Sequence, residues 1–202
     1  AIILLGIILV VFSQSFESFS RYGLKFLVTS EWNPVKDEYG AFTAIYGTLV
    51  TSFLSLLITI PLGVGTAIFI TEDFVPKVVR EIIGSFVELL AAIPSVVLGL
   101  WAIFVMEPFF RAFFVFLHNF FGWIPLFSTE PTGRNSLLAI LILVVMLLPI
   151  VTSIARDSLN QVPKKLRNAA YGIGASRWKT IFSVILPAAL SGIMAGVLLA
   201  LG

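Results

Sequence analysis

Residues 156–187 read RDSLNQVPKKLRNAAYGIGASRWKTIFSVILP, a polar and basic stretch set between two apolar runs. Pro163 can occupy the first turn of a helix, where its missing N–H costs nothing. Lys164 to Ile173 favours helix, and Gly174 permits the left-handed residue that ends one. Ala175 to Phe182 resumes a helix, and Leu186-Pro187 falls just inside the next apolar run. The spacing predicts two short helices lying near a membrane surface and hinged at Gly174. Ala169 and Ala170 offer a small-residue face that a partner can approach closely, ringed by Arg167, Arg177 and Lys179. A loop built this way is expected to be a docking surface.

The rest of the chain explains why such a loop stands out. Of 202 residues, 58% are hydrophobic and only 12% charged, about half the charge of a soluble domain. The charges cluster and leave apolar runs near the length that crosses a bilayer. These runs predict an all-α integral membrane protein, because helices satisfy their own backbone hydrogen bonds in lipid. Alternating ten-residue strands of the barrel type are absent from the pattern. Without cysteine there are no disulfides and no thiolate sites. A lone His118 makes no metal site, and a net charge of +2 is no argument for nucleic acid.

Five apolar segments are expected: 1–12, 43–70, 82–106, 137–154 and 180–202. The chain starts and stops inside apolar runs, so it is read as one transmembrane domain over 1–202 of a longer protein, with the last one or two spans missing or cut short. A cleaved signal peptide fits the first run less well, since it has no charged leader. Loops are expected at 13–42, 71–81, 107–136 and 155–179. The second and fourth hold eight Lys and Arg, against five in the other two, which are longer. The positive-inside rule places 71–81 and 155–179 in the cytoplasm and makes 13–42 and 107–136 outer loops.

Several intramembrane residues invite a functional reading. Pro61 is expected to kink the second span, and Gly63, Gly65 and Ala67 form a stripe whose simplest use is close helix packing. Thr48, Thr51, Ser52 and Ser55 could line a path or bond their own helix. Pro94 frees a carbonyl within a span and Ser95 can satisfy it or face a ligand, so a packed kink and a path are both open. Glu88, the one acid well inside an apolar segment, could pair with a basic group at a gate or snorkel toward the cytoplasm. The aromatic-rich 107–136 stretch, with His118, suggests an interfacial helix at the headgroups rather than a cap over a path.

The spacing Asn168-Ala169-Ala170, Gly174, Val184, Leu186-Pro187 resembles the signature loop of bacterial ABC importer permeases. That signature runs Glu-Ala-Ala, three residues, Gly, nine residues, a branched apolar residue, any residue, Leu-Pro. Asn168 departs from the usual Glu. A merely polybasic segment drawn to anionic lipid does not explain this spacing. Glu31-Trp32-Asn33-Pro34, Ile45-Tyr46-Gly47-Thr48-Leu49 and Ala92-Ile93-Pro94-Ser95-Val96-Val97-Leu98-Gly99-Leu100-Trp101 look like the phosphate-specific branch of that family, the PstC type.

The resemblance implies a type I importer (MetI-like) helical bundle in the bacterial inner membrane. Arg167, Asn168, Ala169, Ala170, Gly174, Ala175 and Arg177 would form the coupling helix region that docks on an ATPase. The candidate path is Thr48, Ser52, Pro94 and Ser95, with Glu88 at a gate. The implied partners are a second, PstA-like permease subunit, a PstB-like ATPase dimer that holds ATP-Mg, and a PstS-like phosphate-binding protein outside, besides membrane lipid. This stretch has no phosphate-binding loop of its own and no cofactor is expected on it. All thirteen Lys and Arg fall in loops or at span ends, so anion handling is expected from hydroxyls, helix N-termini, the partner subunit, or an Arg-Ala-x-Gly-Glu-like run after Gly202. A permease for molybdate or sulfate is the alternative, and an intramembrane enzyme a remote one.

Overall fold

A computed structural model describes residues 2–128, 130 and 135–201, apart from the side chain of Glu17. Arg134, one of the five basic residues counted for the outer loops, lies outside the described residues, as do Ala1 and Gly202 at the ends of the first and fifth runs. The chain divides into two compact units, Ala1–Val50 and Thr51–Gly202.

The first unit opens with α1 (Ile2–Tyr22), which runs ten residues past the end of its apolar run, and a single turn, α2 (Lys25–Val28). A minimal hairpin follows, β1 (Trp32–Asn33) against β2 (Glu38–Tyr39), pairing Trp32 with Tyr39 and Asn33 with Glu38. Asn33 starts its turn by accepting from the Val35 and Lys36 amides through Oδ1, the usual reason Asn is found there. Asp37 takes the left-handed conformation (φ 57°) that Asp tolerates. Its carboxylate receives Arg21 and the Tyr22 hydroxyl, and Tyr39 packs edge-on against both Trp32 and Tyr22. Most of the expected 13–42 loop is therefore helix or hairpin.

The second unit is organised around α7 (Ser136–Gln161). Asn135 caps it, its side chain accepting from the Leu138 amide at 2.8 Å. α3 (Phe42–Thr71) meets α7 first where Ser55 Oγ donates to the Ile140 carbonyl, then where Gly63 abuts Val151, so the two run in the same direction. α10 (Leu186–Leu201) runs the opposite way, Gly192 against Ser158 and Gly196 against Ile154. A Cβ at Gly63 or Gly196 would come within 2.8 Å of a β-branched side chain, so only glycine lets these backbones approach. Ala67 is fully buried at the same seam, but Gly65 has open space around it and takes no part in it. Pro61 and Pro149 both lie inside continuous helices.

The third span differs from expectation. The apolar run 82–106 is broken: α4 (Lys77–Ala91) stops, Pro94 is extended (ψ 136°), and α5 (Ser95–Trp101) starts afresh. Proline disfavours helix in the residue before it and donates no hydrogen bond, which accounts for the break. Pro94 and Ser95 are exposed there, so a packed kink is not their role. α5 instead continues through a widened π turn (Ala102–Met106) into α6 (Glu107–Phe121). The 27 residues Ser95–Phe121 are long and apolar enough to cross a membrane, and α4 is a separate amphipathic helix. Residues 107–121 of the expected outer loop thus belong to the continuous helix Ser95–Phe121, where the sequence predicts a separate interfacial helix.

The π turn has a local cause. Pro108 would drive its ring against the carbonyl four residues back, Phe104, and Phe104 sits in the middle of the widened turn. The same geometry recurs at Ile181–Ile185, two residues before Pro187, centred on Ser183. Phe110 and Phe114 pack on α7 beside Leu138 and Ile142, while Phe109, Phe113, Phe116 and Phe120 face outward. His118 donates through Nδ1 to the Phe127 carbonyl at 2.7 Å and so holds the turn after α6. Among the described residues, five helices meet the length and hydropathy of a membrane span: Ile2–Tyr22, Phe42–Thr71, Ser95–Phe121, Ser136–Gln161 and Arg177–Leu201.

Candidate coupling surface

The loop after α7 is built from local signals. Val162 and Pro163 are extended, which ends α7 and lets α8 (Lys164–Gly172) leave in a new direction. α8 closes with a Schellman motif. The Ala175 amide donates to the Ala170 carbonyl at 3.1 Å and the Gly174 amide to the Tyr171 carbonyl at 2.9 Å, with Gly174 left-handed at φ 81°. Ser176 then caps α9 (Arg177–Thr180), accepting from the Lys179 amide at 3.3 Å. The predicted two-helix element hinged at Gly174 is present.

α8 has two unlike faces. Ala170 is buried inside the chain, and Arg167 points inward beside it. Arg167 pairs with Glu72, at the end of α3, and donates to the Leu159 carbonyl of α7 at 2.8 Å. On the other face Leu166, Ala169 and Ile173 lie at i, i+3 and i+7, so they form one stripe. Ile173 is 87% exposed and Leu166 44%, unusual for apolar side chains on a polar loop. Asn168 and Tyr171 are exposed alongside. Leu166 and Ile173 were not among the residues expected to dock, although their helical spacing within a lysine-rich segment was a readable signal.

The residues between α3 and α4 rest against this loop. Arg177 Nη1 donates to the Asp73 carbonyl at 2.8 Å, and Trp178 lies 5.0 Å from the Phe74 ring. The expected loops 71–81 and 155–179 therefore lie side by side. Glu88 of α4 pairs with Arg156 of α7 at 3.4 Å, across a cleft of about 380 Å³ that also takes in Lys77, Arg80 and Ser85. Gly84 leaves room for Arg156 to lie over α4. With Glu88 72% and Arg156 40% exposed, this is a pair at the helix ends rather than a charge sunk in the core.

Thr48 and Ser52 lie one turn apart on α3. Thr48 donates to the Ala44 carbonyl of its own helix, and Ser55 bonds Thr51 and α7. Ser52 is half-buried on α3, and Pro94 and Ser95 stand at the exposed break. Among the described residues, the buried hydroxyls of Thr59, Thr152 and Thr180 have no hydrogen-bond partner.

Residues 59–202 match the family model described as a binding-protein-dependent transport system inner membrane component. Over its whole length the chain is 41% identical to the phosphate transport system permease protein PstC of Mesorhizobium japonicum, of which it spans 63%. It is 40% identical, over 93% of its length, to PstC of Pasteurella multocida, spanning 60% of that protein. A probable ABC transporter permease of Bacillus subtilis, YqgH, is 37% identical over 87% of the chain and is spanned to 53%. Among solved structures, an inward-facing MetNI methionine ABC transporter superposes with a TM-score of 0.58 at 22% identity. That match covers 80% of this chain and 66% of the other and supports the shared helical fold.

Proposed function

Because this chain belongs to the family of inner membrane components of binding-protein-dependent transport systems, we propose that it is a permease subunit of an ATP-driven phosphate importer. Membership makes it a multi-pass inner membrane protein of a transport system rather than an enzyme. The observation that carries the ATP-driven reading is α8: a short helix held from inside by Arg167 and Ala170, presenting the apolar stripe of Leu166, Ala169 and Ile173 outward. An exposed apolar stripe on a water-side loop is what a helix-in-groove contact requires. Phosphate as cargo rests on the full-length kinship with proteins named for phosphate transport.

In this reading α8 sits on a PstB-like ATPase dimer that binds ATP-Mg. ATP binding closes that dimer, α8 follows, and the spans exchange inward for outward access. A PstA-like subunit completes the path, and a PstS-like binding protein delivers phosphate from outside. Ser52, Pro94 and Ser95 are the candidates in this chain for lining the path, with Thr48 contributing its backbone-tethered hydroxyl. The Arg156–Glu88 pair is the candidate gate contact.

The test is uptake of labelled phosphate by proteoliposomes holding the full-length protein with its partner subunits. Uptake should require ATP and the binding protein, and unlabelled sulfate or molybdate should not compete. Competition by either oxyanion at the level of phosphate itself would replace phosphate as the cargo. Uptake without ATP would remove the coupling role of α8.

A further inference from the structure

We infer that the turn Glu72-Asp73-Phe74 is the receiving half of the coupling element, with Glu72 the positioning residue that ties α8 to α3. The inference rests on the coupling role proposed for α8 and extends it to how movement leaves that helix.

The coupling loop is joined to the spans by covalent links at its two ends. One end runs through the extended Val162-Pro163 into α7, and the other through α9 and the π turn Ile181–Ile185 into α10. Neither link reaches α3 or α4. The 72–74 turn supplies that connection. Glu72 and Arg167 form an ion pair with side chains only 12% and 19% exposed, and Arg167 spends a further donor on the Leu159 carbonyl. One guanidinium thus holds α8, the end of α3 and the last turn of α7 together. A planar fork with fixed donors suits such a three-way joint better than an ammonium would.

The second grip is independent of the first. Arg177 donates to the Asp73 main-chain carbonyl, and Trp178 covers Phe74, whose ring packs on the buried cluster of Ala67, Leu159 and Ile185. The Asp73 carboxylate in turn receives Arg80 of α4 at 2.8 Å. A displacement of α8 therefore meets α3 through Glu72, and α4 through Asp73. α4 also carries Glu88 opposite Arg156, so the same turn reaches the candidate gate contact. Packed elements of this kind switch between discrete arrangements rather than deforming continuously.

The test uses the complete transporter in proteoliposomes and two readouts. The first is phosphate moved per ATP hydrolysed. Glu72→Gln keeps the shape and removes the charge; it should lower the ratio roughly fivefold or more, the scale of a typical coupling between sites. Glu72→Arg should do the same, and adding Arg167→Glu should recover much of the loss by restoring a pair of opposite sign. An unchanged ratio in Glu72→Gln, or a reversed pair no better than Glu72→Arg alone, would overturn the inference. The second readout needs no cargo: spin labels at the exposed Lys77 and Lys165 report the α4–α8 distance with and without trapped ATP. In the parent protein that distance should stay constant between the two states, and in Glu72→Gln combined with Asp73→Asn, which loosens both grips, it should split. A change with ATP in the parent protein would refute the joint. Absent phosphate uptake with a constant label distance would overturn only the cargo.

Discussion

The α3–α7 seam gives a quantitative expectation at Gly63. In Gly63→Ala the new methyl would sit 2.8 Å from Val151 Cγ1, 3.1 Å from Val151 Cβ and 3.4 Å from the Thr152 amide nitrogen. Val151 is β-branched and stiff at χ1, it is 1% exposed, and backbone lies directly behind it. It cannot swing aside, so the helices must separate. Overpacking of this kind costs about 1–3 kcal/mol. Part of that is offset by the better helix propensity of alanine, up to about 1 kcal/mol. Gly65→Ala gains the same propensity two residues away but meets nothing within 4 Å. The difference between the two variants therefore isolates the clash. At roughly 2–4 °C per kcal/mol for a domain of this size, Gly63→Ala should melt roughly 2–12 °C below Gly65→Ala. The measurement is the thermal midpoint of the full-length permease purified in detergent. Val151→Ala should narrow the gap when combined with Gly63→Ala, because it removes the atoms that the methyl strikes. If the two alanine variants melt together, or Val151→Ala rescues nothing, the close approach of α3 and α7 at Gly63 is refuted.

Three further outcomes are expected. Gly174→Pro removes the amide that closes the Schellman motif and cannot adopt φ 81°, and Ala170→Leu forces a large side chain into a filled site; both should lower uptake per ATP in proteoliposomes, and wild-type uptake in either would count against docking through α8. Ile173→Asp should weaken association of the purified permease with its ATPase by roughly 10–100-fold, the equivalent of losing about 1.5–3 kcal/mol of apolar burial, as read by titrated co-purification. Glu88→Gln should shift thermal stability by less than about 1 kcal/mol, since its pair with Arg156 is largely solvated; a larger loss would show that other subunits cover the pair.

What could be read from the sequence was what local chemistry decides. Pro163, Gly174 and Ser176 each impose a backbone geometry on their own residue or the next few, so the coupling loop folds as its letters suggest. The third span was misplaced because hydropathy does not register a chain break. Ile82 to Met106 is one apolar run, but α4 and α5 are separate helices that pack independently on α7, α4 with the Glu88–Arg156 pair across the contact and α5 through Leu98. Pro94 and Pro108 then did the reverse of what their surroundings suggest. Pro94, deep in the run, ends a helix, while Pro108, at its edge, is absorbed by the widened turn at Ala102–Met106. Pro61 and Pro149 cause no break at all. The rule for one proline leaves these outcomes open, and the neighbouring helix selects among them.

The two alanines of the signature show how a short motif can serve two surfaces at once. They are consecutive, about 100° apart around a helix, and that is enough to send Ala170 into the chain and Ala169 out of it. A larger side chain at Ala170 has no room in its buried site; one at Ala169 projects from the exposed face and would obstruct whatever lies outside. Asn168 falls on the outer side. The internal ion pair that positions α8 is made by its neighbour Arg167 with Glu72, so it does not depend on a carboxylate at 168. Replacing the family's usual Glu there therefore changes the charge offered to the partner without loosening the helix that offers it. On the coupling role proposed for α8, a compensating difference is to be sought on the surface that receives this helix, not within this chain.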